Sequence, residues 1–151
     1  MDKKELLEIM NDLLSVLSQL RDAAFRKQRA LIENSYERIE AAVKEEEKIL
    51  AELQVMHKRR VFILNSFSKE LSIKVNNNKF SDFLKAIKGK IENDFYEKLL
   101  EKNSTLGMLL GSVNLLNLQN RYLTEQARSF NHSLINELFT KKNKVILDRK
   151  V

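Results

Sequence analysis

The sequence of 151 residues contains no cysteine, no proline, no tryptophan and only three glycines. Without cysteine, the chain can form no disulfide and offers no thiolate to a metal ion. Proline breaks the interior of a helix and glycine weakens it, so a chain nearly free of both can form very long helices.

Long apolar runs are absent as well. No stretch of 18 uncharged apolar residues occurs, so the sequence predicts no membrane-spanning segment. The first five residues lead directly into an amphipathic pattern rather than the apolar core of a signal peptide. We therefore expect a cytoplasmic protein.

The charge is mixed rather than of one sign. The chain carries 27 Lys and Arg against 21 Asp and Glu, a net charge of +6, and the two signs are largely interspersed. The densest basic runs, residues 57–60 and 141–144, are short and lack the aromatic or base-reading residues of a nucleic-acid site. The composition does not favour nucleic-acid binding, although binding to an acidic surface remains an alternative.

The N-terminal part of the chain has the repeat of a coiled-coil helix. Its apolar positions alternate at spacings of four and three, with Lys27 in one polar slot: Leu6, Met10, Leu13, Leu17, Leu20, Ala24 and Leu31. Asn34 followed by Glu37 resembles a capping box, which predicts a short turn and an antiparallel second helix. In that second helix we expect residues 45–47, three glutamates, to lie on a solvated face.

The rest of the chain continues the helical periodicity. We predict helices at about residues 3–32, 35–71, 80–102 and 105–139, with turns at residues 76–78 and 103–105, Ser81 as an N-cap and Gly89 as a bend within the third helix. Residues 1–140 are predicted to form one domain, and residues 141–151 a basic mobile tail. The fold class is all-α: an elongated antiparallel hairpin or bundle of about four helices with coiled-coil-like packing.

No pattern in the sequence indicates catalysis. The two histidines, His57 and His132, lie on separate predicted helices outside any metal-binding spacing, and no nucleophile elbow or glycine-rich phosphate loop is present. We expect no enzymatic activity, no metal, no cofactor and no small-molecule substrate.

The fourth helix carries the candidate binding residues. Asn120 occupies a seam position, where a polar side chain costs stability and can set the register of two helices. Leu115 and Leu118 lie off the seam, so this helix is apolar on more than one face and requires a deeper bundle or a partner. The predicted partner-binding residues are Leu115, Asn117, Leu118, Asn120, Tyr122 and Leu123.

Two of the three glycines stand near the start of this helix. Gly107 and Gly111 have a small-xxx-small spacing, which permits close approach of another helix. Two further interpretations are open: the glycines leave a shallow groove for a partner helix, or they only weaken the start of the fourth helix.

The chain resembles the FlgN family of flagellar type III export chaperones. The resemblance is carried by the overall plan, a leucine-rich N-terminal hairpin followed by a leucine-rich C-terminal helix. It is also carried by Asn117, Asn120 and Leu123, which match the family's asparagine-x-x-asparagine-x-x-leucine signature.

The resemblance implies a chaperone that binds the C-terminal helical segments of hook–filament junction (hook-associated) proteins. Such a chaperone keeps these segments soluble and delivers them to the export apparatus, so export-gate components are implied partners as well. Two alternatives stand beside it: a structural coiled-coil or oligomerisation module, and a helical protein that binds nucleic acid or an acidic surface. Homodimerisation is left open.

Overall fold

Four helices account for nearly all of the part of the chain that the structure describes, residues 2–75 and 79–149, with side chains as far as residue 140. In this computed structural model the helices are α1 (Lys3–Ile32), α2 (Tyr36–Glu70), α3 (Phe80–Ile87) and α4 (Asn93–Arg149). No strand occurs among the described residues. The predicted all-α class is confirmed.

α1 begins and ends with defined caps. The Asp2 side chain accepts a hydrogen bond of 3.0 Å from the backbone N–H of Glu5, which satisfies one free donor of the first turn. Asn34 closes the helix in a left-handed conformation, φ 53°, and Ser35 N–H bonds to Ala30 O at 3.0 Å. The expectation that Asn34 caps the start of α2 was therefore wrong. Asn34 ends α1 in a Schellman-type turn, and Ser35 is the N-cap residue of α2.

α1 is the central helix of the fold. Its seam is buried as the heptad pattern predicted, and it packs against both α2 and α4, whereas α2 and α4 share no extensive backbone interface with each other. α2 is antiparallel to α1. α4 is parallel to α1, because Lys102 of α4 lies beside Asn11 while Gln119 lies beside Gln28.

The third and fourth helices differ from their predicted bounds. The break lies at residues 88–92, where Gly89 has φ 76°, and not at residues 103–105. Gly89 thus separates two helices instead of bending one. Thr105, expected to be part of a cap, donates its hydroxyl to Glu101 O at 3.1 Å and stays inside α4. Serine and threonine hydroxyls can either cap a helix or bond to a carbonyl one turn back inside it. The residue types alone therefore did not decide between a helix end and a helix interior at this place.

Three further expectations concern Ser81, the turn at residues 76–78 and the basic tail. Ser81 lies in the first turn of α3, whose N-cap residue is Lys79. The predicted turn at residues 76–78 falls outside the described residues. The predicted basic tail falls largely on the end of α4, which continues to Arg149, and its side chains lie outside those described. The division into one domain and a tail stays a prediction.

α3 closes the end of the bundle where α4 begins. Four of its eight residues are buried: Phe80, Phe83, Leu84 and Ile87. The Phe83 ring meets Phe67 of α2 edge-on at 6.2 Å, and Phe67 in turn stacks on Phe95 of α4 at 6.4 Å. These aromatic rings bridge α2 and α4, so α3 occupies the space between them at this end.

The polar slot in the α1 seam has a partner on α2. Lys27 Nζ lies 2.6 Å from Glu46 Oε2, and the two side chains are only 20% and 12% exposed. Glu45 pairs with Arg26, also at 2.6 Å. The expectation that residues 45–47 form a solvated face was therefore wrong for Glu46, whereas Glu45 and Glu47 are exposed. α2 presents Glu45 and Glu46 to α1 because its N-terminal half packs against the C-terminal half of α1.

We expect Glu46→Ala to destabilise the fold by about 1–2 kcal/mol, because it leaves the Lys27 ammonium largely buried without a counter-charge. The thermal midpoint, measured by circular dichroism, should fall by roughly 2–8 °C. The double variant Lys27→Leu/Glu46→Leu should recover most of that loss. Glu47→Ala is the matched control on a solvated position, and an equal loss there would contradict the assignment.

Candidate partner-binding site on α4

One face of α4 is buried against α1. The residues that are at most 5% exposed are separated mostly by seven positions: Phe95, Leu99, Leu106, Val113 and Asn120. A spacing of seven returns to the same side of a helix after two turns. This face is the seam by which α4 joins the bundle.

Asn120 is the polar member of that seam. Its side chain is 2% exposed, and Nδ2 donates a hydrogen bond of 2.9 Å to the backbone carbonyl of Ala24 on α1. Oδ1 of Asn120 is buried without a hydrogen-bond partner among the described residues. The Asn120 amide therefore makes only part of its possible hydrogen bonds. The bond from Nδ2 fixes the register of α4 on α1, whereas Oδ1 has lost its hydration without gaining a protein donor in return.

The opposite face of α4 carries an exposed apolar row, which we call the outward stripe. Its members Met108, Leu115, Leu118 and Tyr122 are 71%, 56%, 57% and 60% exposed. Gly111 falls in the same row, and neither it nor Gly107 has another atom within 4 Å of a Cβ built on it. Among the described residues, no helix therefore packs closely against either glycine; Gly111 lies on the open stripe, whereas Gly107 lines a pocket between α2 and α4.

A second candidate surface is an open channel over α1 between α2 and α4, which we call the slot. It encloses about 1140 Å³. Ile39, Val43 and Leu50 of α2 form one wall, Asn117 and Thr124 belong to the other, and the floor comes from α1. The slot exists because α3, which separates α2 and α4 at the other end, is too short to extend this far.

A cationic pocket of about 470 Å³ lies between the slot and α3. His57 and Arg60 of α2 line it together with Lys79, and none of the described residues lining it is acidic. The Arg60 guanidinium lies 5.7 Å from the centre of the Phe80 ring, and its Nε is buried without a hydrogen-bond partner among the described residues. Burial lowers the pKa of Arg60, because loss of water disfavours the charged form.

Past the end of α1, the apolar pattern of α4 continues without a partner helix. Phe130, Ile135 and Leu138 are more than 60% exposed, and Leu134 is 39% exposed. α1 ends at Ile32, whereas α4 extends to Arg149. The apolar seam of α4 therefore extends beyond the end of α1, the helix on which it packs.

The structure distributes the six predicted residues over three environments. Leu115, Leu118 and Tyr122 lie on the outward stripe, and Asn117 lines the slot. Leu123 is half buried, and Asn120 is committed to the contact with α1. Sequence reasoning missed the α2 wall of the slot. Its one signal was the recurrence of apolar residues on α2 at Ile39, Val43 and Leu50.

The histidines take up no metal-binding arrangement. His57 Nδ1 lies 3.3 Å from the guanidinium of Arg60, and His132 lines the slot. Within residues 2–75 and 79–149 no group of three or more His, Cys, Asp or Glu side chains is placed to hold a metal ion. Over the same residues, no helix combines the length and apolar character needed to cross a bilayer.

Comparison with known families assigns the chain. The family described as FlgN protein matches residues 1–147, nearly the whole sequence. The chain belongs to the FlgN family. No match was found among curated proteins or among solved structures.

FlgN-family proteins are flagellar export chaperones. This function requires a protein that binds other proteins, and α4 leaves an apolar row exposed on the outward stripe. Both asparagines of the signature line the slot, but only Asn120 is buried there and bonded to α1. The signature therefore combines an exposed residue of the slot with a residue that also fixes α4 on α1.

We predict that Asn120→Leu stabilises the protein by about 1 kcal/mol. It gives up one hydrogen bond but removes an unpartnered buried oxygen, whose cost is the larger of the two. The thermal midpoint should rise by roughly 2–4 °C. Asn117→Leu, at an exposed position on the slot, should change it by much less, and a fall for Asn120→Leu would show that Oδ1 has a partner in solution.

Proposed function

We propose that this FlgN-family protein binds the C-terminal helical segments of hook–filament junction proteins in the cytoplasm. It keeps those segments soluble and delivers them to the type III export apparatus. The observation that carries the proposal is apolar surface that the fold leaves exposed, on the outward stripe of α4 and on the α2 wall of the slot. Uncovered apolar area of this kind marks an interaction site.

The chemistry of these surfaces suits an amphipathic helix. Such a helix has apolar residues at spacings of three and four and can lie in a groove between two other helices. The slot provides one aliphatic wall, from α2, and one largely polar wall, from α4, which includes Asn117 and Arg121. Polar interruptions lower the apolar area that a partner buries, which favours the reversible binding that delivery requires.

Delivery also calls for two surfaces. A chaperone that holds a client while it contacts an export-gate component needs a separate face for each. α4 has two such faces, the outward stripe and the slot, on different sides of the same helix. We assign partner binding to Leu115, Leu118 and Tyr122 on the first face and to Asn117 on the second. Asn120 and Leu123 position α4 for both.

A second candidate function is a structural or oligomerisation module. The exposed continuation of the α4 seam past α1 favours it, because an unpaired seam can pair with another helix. Binding to nucleic acid receives no comparable support, since many of the basic side chains already pair with acidic ones, as Lys3 does with Glu92 and Arg59 with Glu5.

Co-purification tests the proposed function directly. Co-expressed with a hook–filament junction protein, this chain should form a complex that survives size-exclusion chromatography at micromolar concentration. The matched control is the same client without its C-terminal segment, which should elute separately. If the full-length client also elutes separately, or if both forms bind equally, the proposal is wrong.

The outward stripe generates its own prediction. Leu115→Glu/Leu118→Glu should weaken binding to the client, or to an export-gate component, by at least about tenfold, because charged side chains resist burial in an apolar interface. Helicity measured by circular dichroism should not change, since both leucines are exposed.

Thr105→Glu/Ser112→Glu provides the matched control for that variant. It adds the same two charges to exposed positions of α4 that line neither the slot nor the cationic pocket. Undiminished affinity of the leucine variant for both partners, measured by isothermal titration calorimetry, would exclude the outward stripe as a binding surface.

A further inference from the structure

The fold is a four-helix bundle that lacks most of its fourth helix. α1 and α2 have 30 and 35 residues, but α3, which lies between α2 and α4, has only eight. Beyond α3, the cationic pocket and the slot follow each other over α1, from Leu13 to Leu31. That length corresponds to a helix of about 20 residues, roughly 30 Å.

α3 shows what kind of element the space between α2 and α4 accepts. Its buried residues Phe80, Phe83, Leu84 and Ile87 have spacings of three, four and seven, the apolar stripe of an amphipathic helix. Its direction is also defined. Phe80 lies near Arg60 and Phe83 near Phe67, so α3 runs parallel to α2. It is therefore antiparallel to α1 and α4.

The cationic pocket stands where α3 begins and the slot ends. Three basic side chains, His57, Arg60 and Lys79, surround a floor that includes Leu13 and Leu17 of α1. No described carboxylate is paired with any of the three, and Arg60 is partly buried. An anion attached to an apolar body would offset the cost of that burial.

We propose that the slot is the seat of the client's C-terminal helix, and that His57, Arg60 and Lys79 receive its terminal carboxylate. This inference rests on the proposed function and specifies its geometry. The client helix completes the bundle: it lies parallel to α2, antiparallel to α1 and α4, and ends at the first residues of α3. A free carboxylate is the anion that every such helix carries when the client's own chain ends there.

Charge argues against a second copy of this chain as the occupant. The segment that would most readily enter a neighbour's slot, the end of α4, is basic. Residues 141–151 contain five Lys or Arg and one Asp. Placing this segment beside Arg60 and Lys79 would bring like charges together. An anionic helix end is the better complement.

Two synthetic peptides test the carboxylate. Both contain about the last 30 residues of a hook–filament junction protein, one with a free C-terminal carboxylate and the other with a C-terminal amide. Isothermal titration calorimetry with the full chain should show the free acid binding about fivefold more tightly or better. The two peptides differ only in this group, so the ratio of their dissociation constants reports on it alone.

Variants of the chain test whether the cationic pocket causes the difference between the dissociation constants of the two peptides. Arg60→Gln and Lys79→Gln should each weaken binding of the free acid and bring the ratio toward one. Lys79 precedes α3 on an exposed position, so its replacement should leave the fold intact. Lys58→Gln, which removes the same charge from a neighbouring position of α2 outside the pocket, should leave the ratio unchanged.

A second pair of variants tests the slot itself. Leu50→Glu places a charge on its α2 wall and should weaken both peptides at least about tenfold without changing their ratio. Val55→Glu, at an exposed position of α2 that does not line the slot, is the matched control.

The polarity of the helix can be read by disulfide capture, since the chain has no cysteine of its own. A peptide with cysteine in its last turn should crosslink to Ser81→Cys and not to Tyr36→Cys, which lies at the far end of the slot. The opposite pattern would overturn the proposed direction.

The remaining outcomes separate this inference from the proposed function. If both peptides bind equally and Leu50→Glu has no effect, the client uses another face: the slot assignment fails and the chaperone function stands. If neither peptide binds, the proposed function fails together with it. If light scattering shows a dimer that Leu50→Glu dissociates, a second copy fills the slot and the inference is wrong.

Discussion

The burial of α1 between two helices is the constraint from which the other features follow. Ten of its 30 residues are buried, spread over a face wide enough to contact both α2 and α4. Because α2 and α4 each pack on α1 and not extensively on each other, a space remains between them. α3 fills that space at one end with aromatic side chains, and elsewhere the slot and the cationic pocket stay open.

The same constraint explains why α4 is apolar on several sides. One face is committed to α1, and the hydrogen bond from Asn120 to Ala24 sets its register. The outward stripe lies opposite this face, and past Ile32 no helix of the described part of the chain covers the seam. A chaperone needs apolar surface that its own fold does not bury. A helix of 57 residues packed on one of 30 residues provides it without any irregular structure.

The helix bounds show where sequence reasoning reached its limit. The break near residue 103 was expected because asparagine, serine and threonine favour caps, yet Thr105 bonds to a carbonyl one turn back within α4. Gly89, expected to bend a helix, adopts φ 76° and separates two. In both places the local residues permit the helix either to continue or to end. Which of the two occurs depends on whether neighbouring apolar side chains, such as Ile87 and Leu106, can then reach the core.

The periodicity of the sequence was sufficient to predict an all-α chain, the seam of α1, and an α4 with more apolar surface than one seam requires. The overall plan of the chain, together with the matching asparagine signature, indicated the FlgN family. Only the tertiary structure separated the predicted residues into an outward stripe, a slot and a buried anchor. The physical reason is that periodicity belongs to one helix, whereas a groove depends on the distance between two. That distance is set by contacts between residues far apart in sequence, such as Phe67 with Phe95 and Lys27 with Glu46.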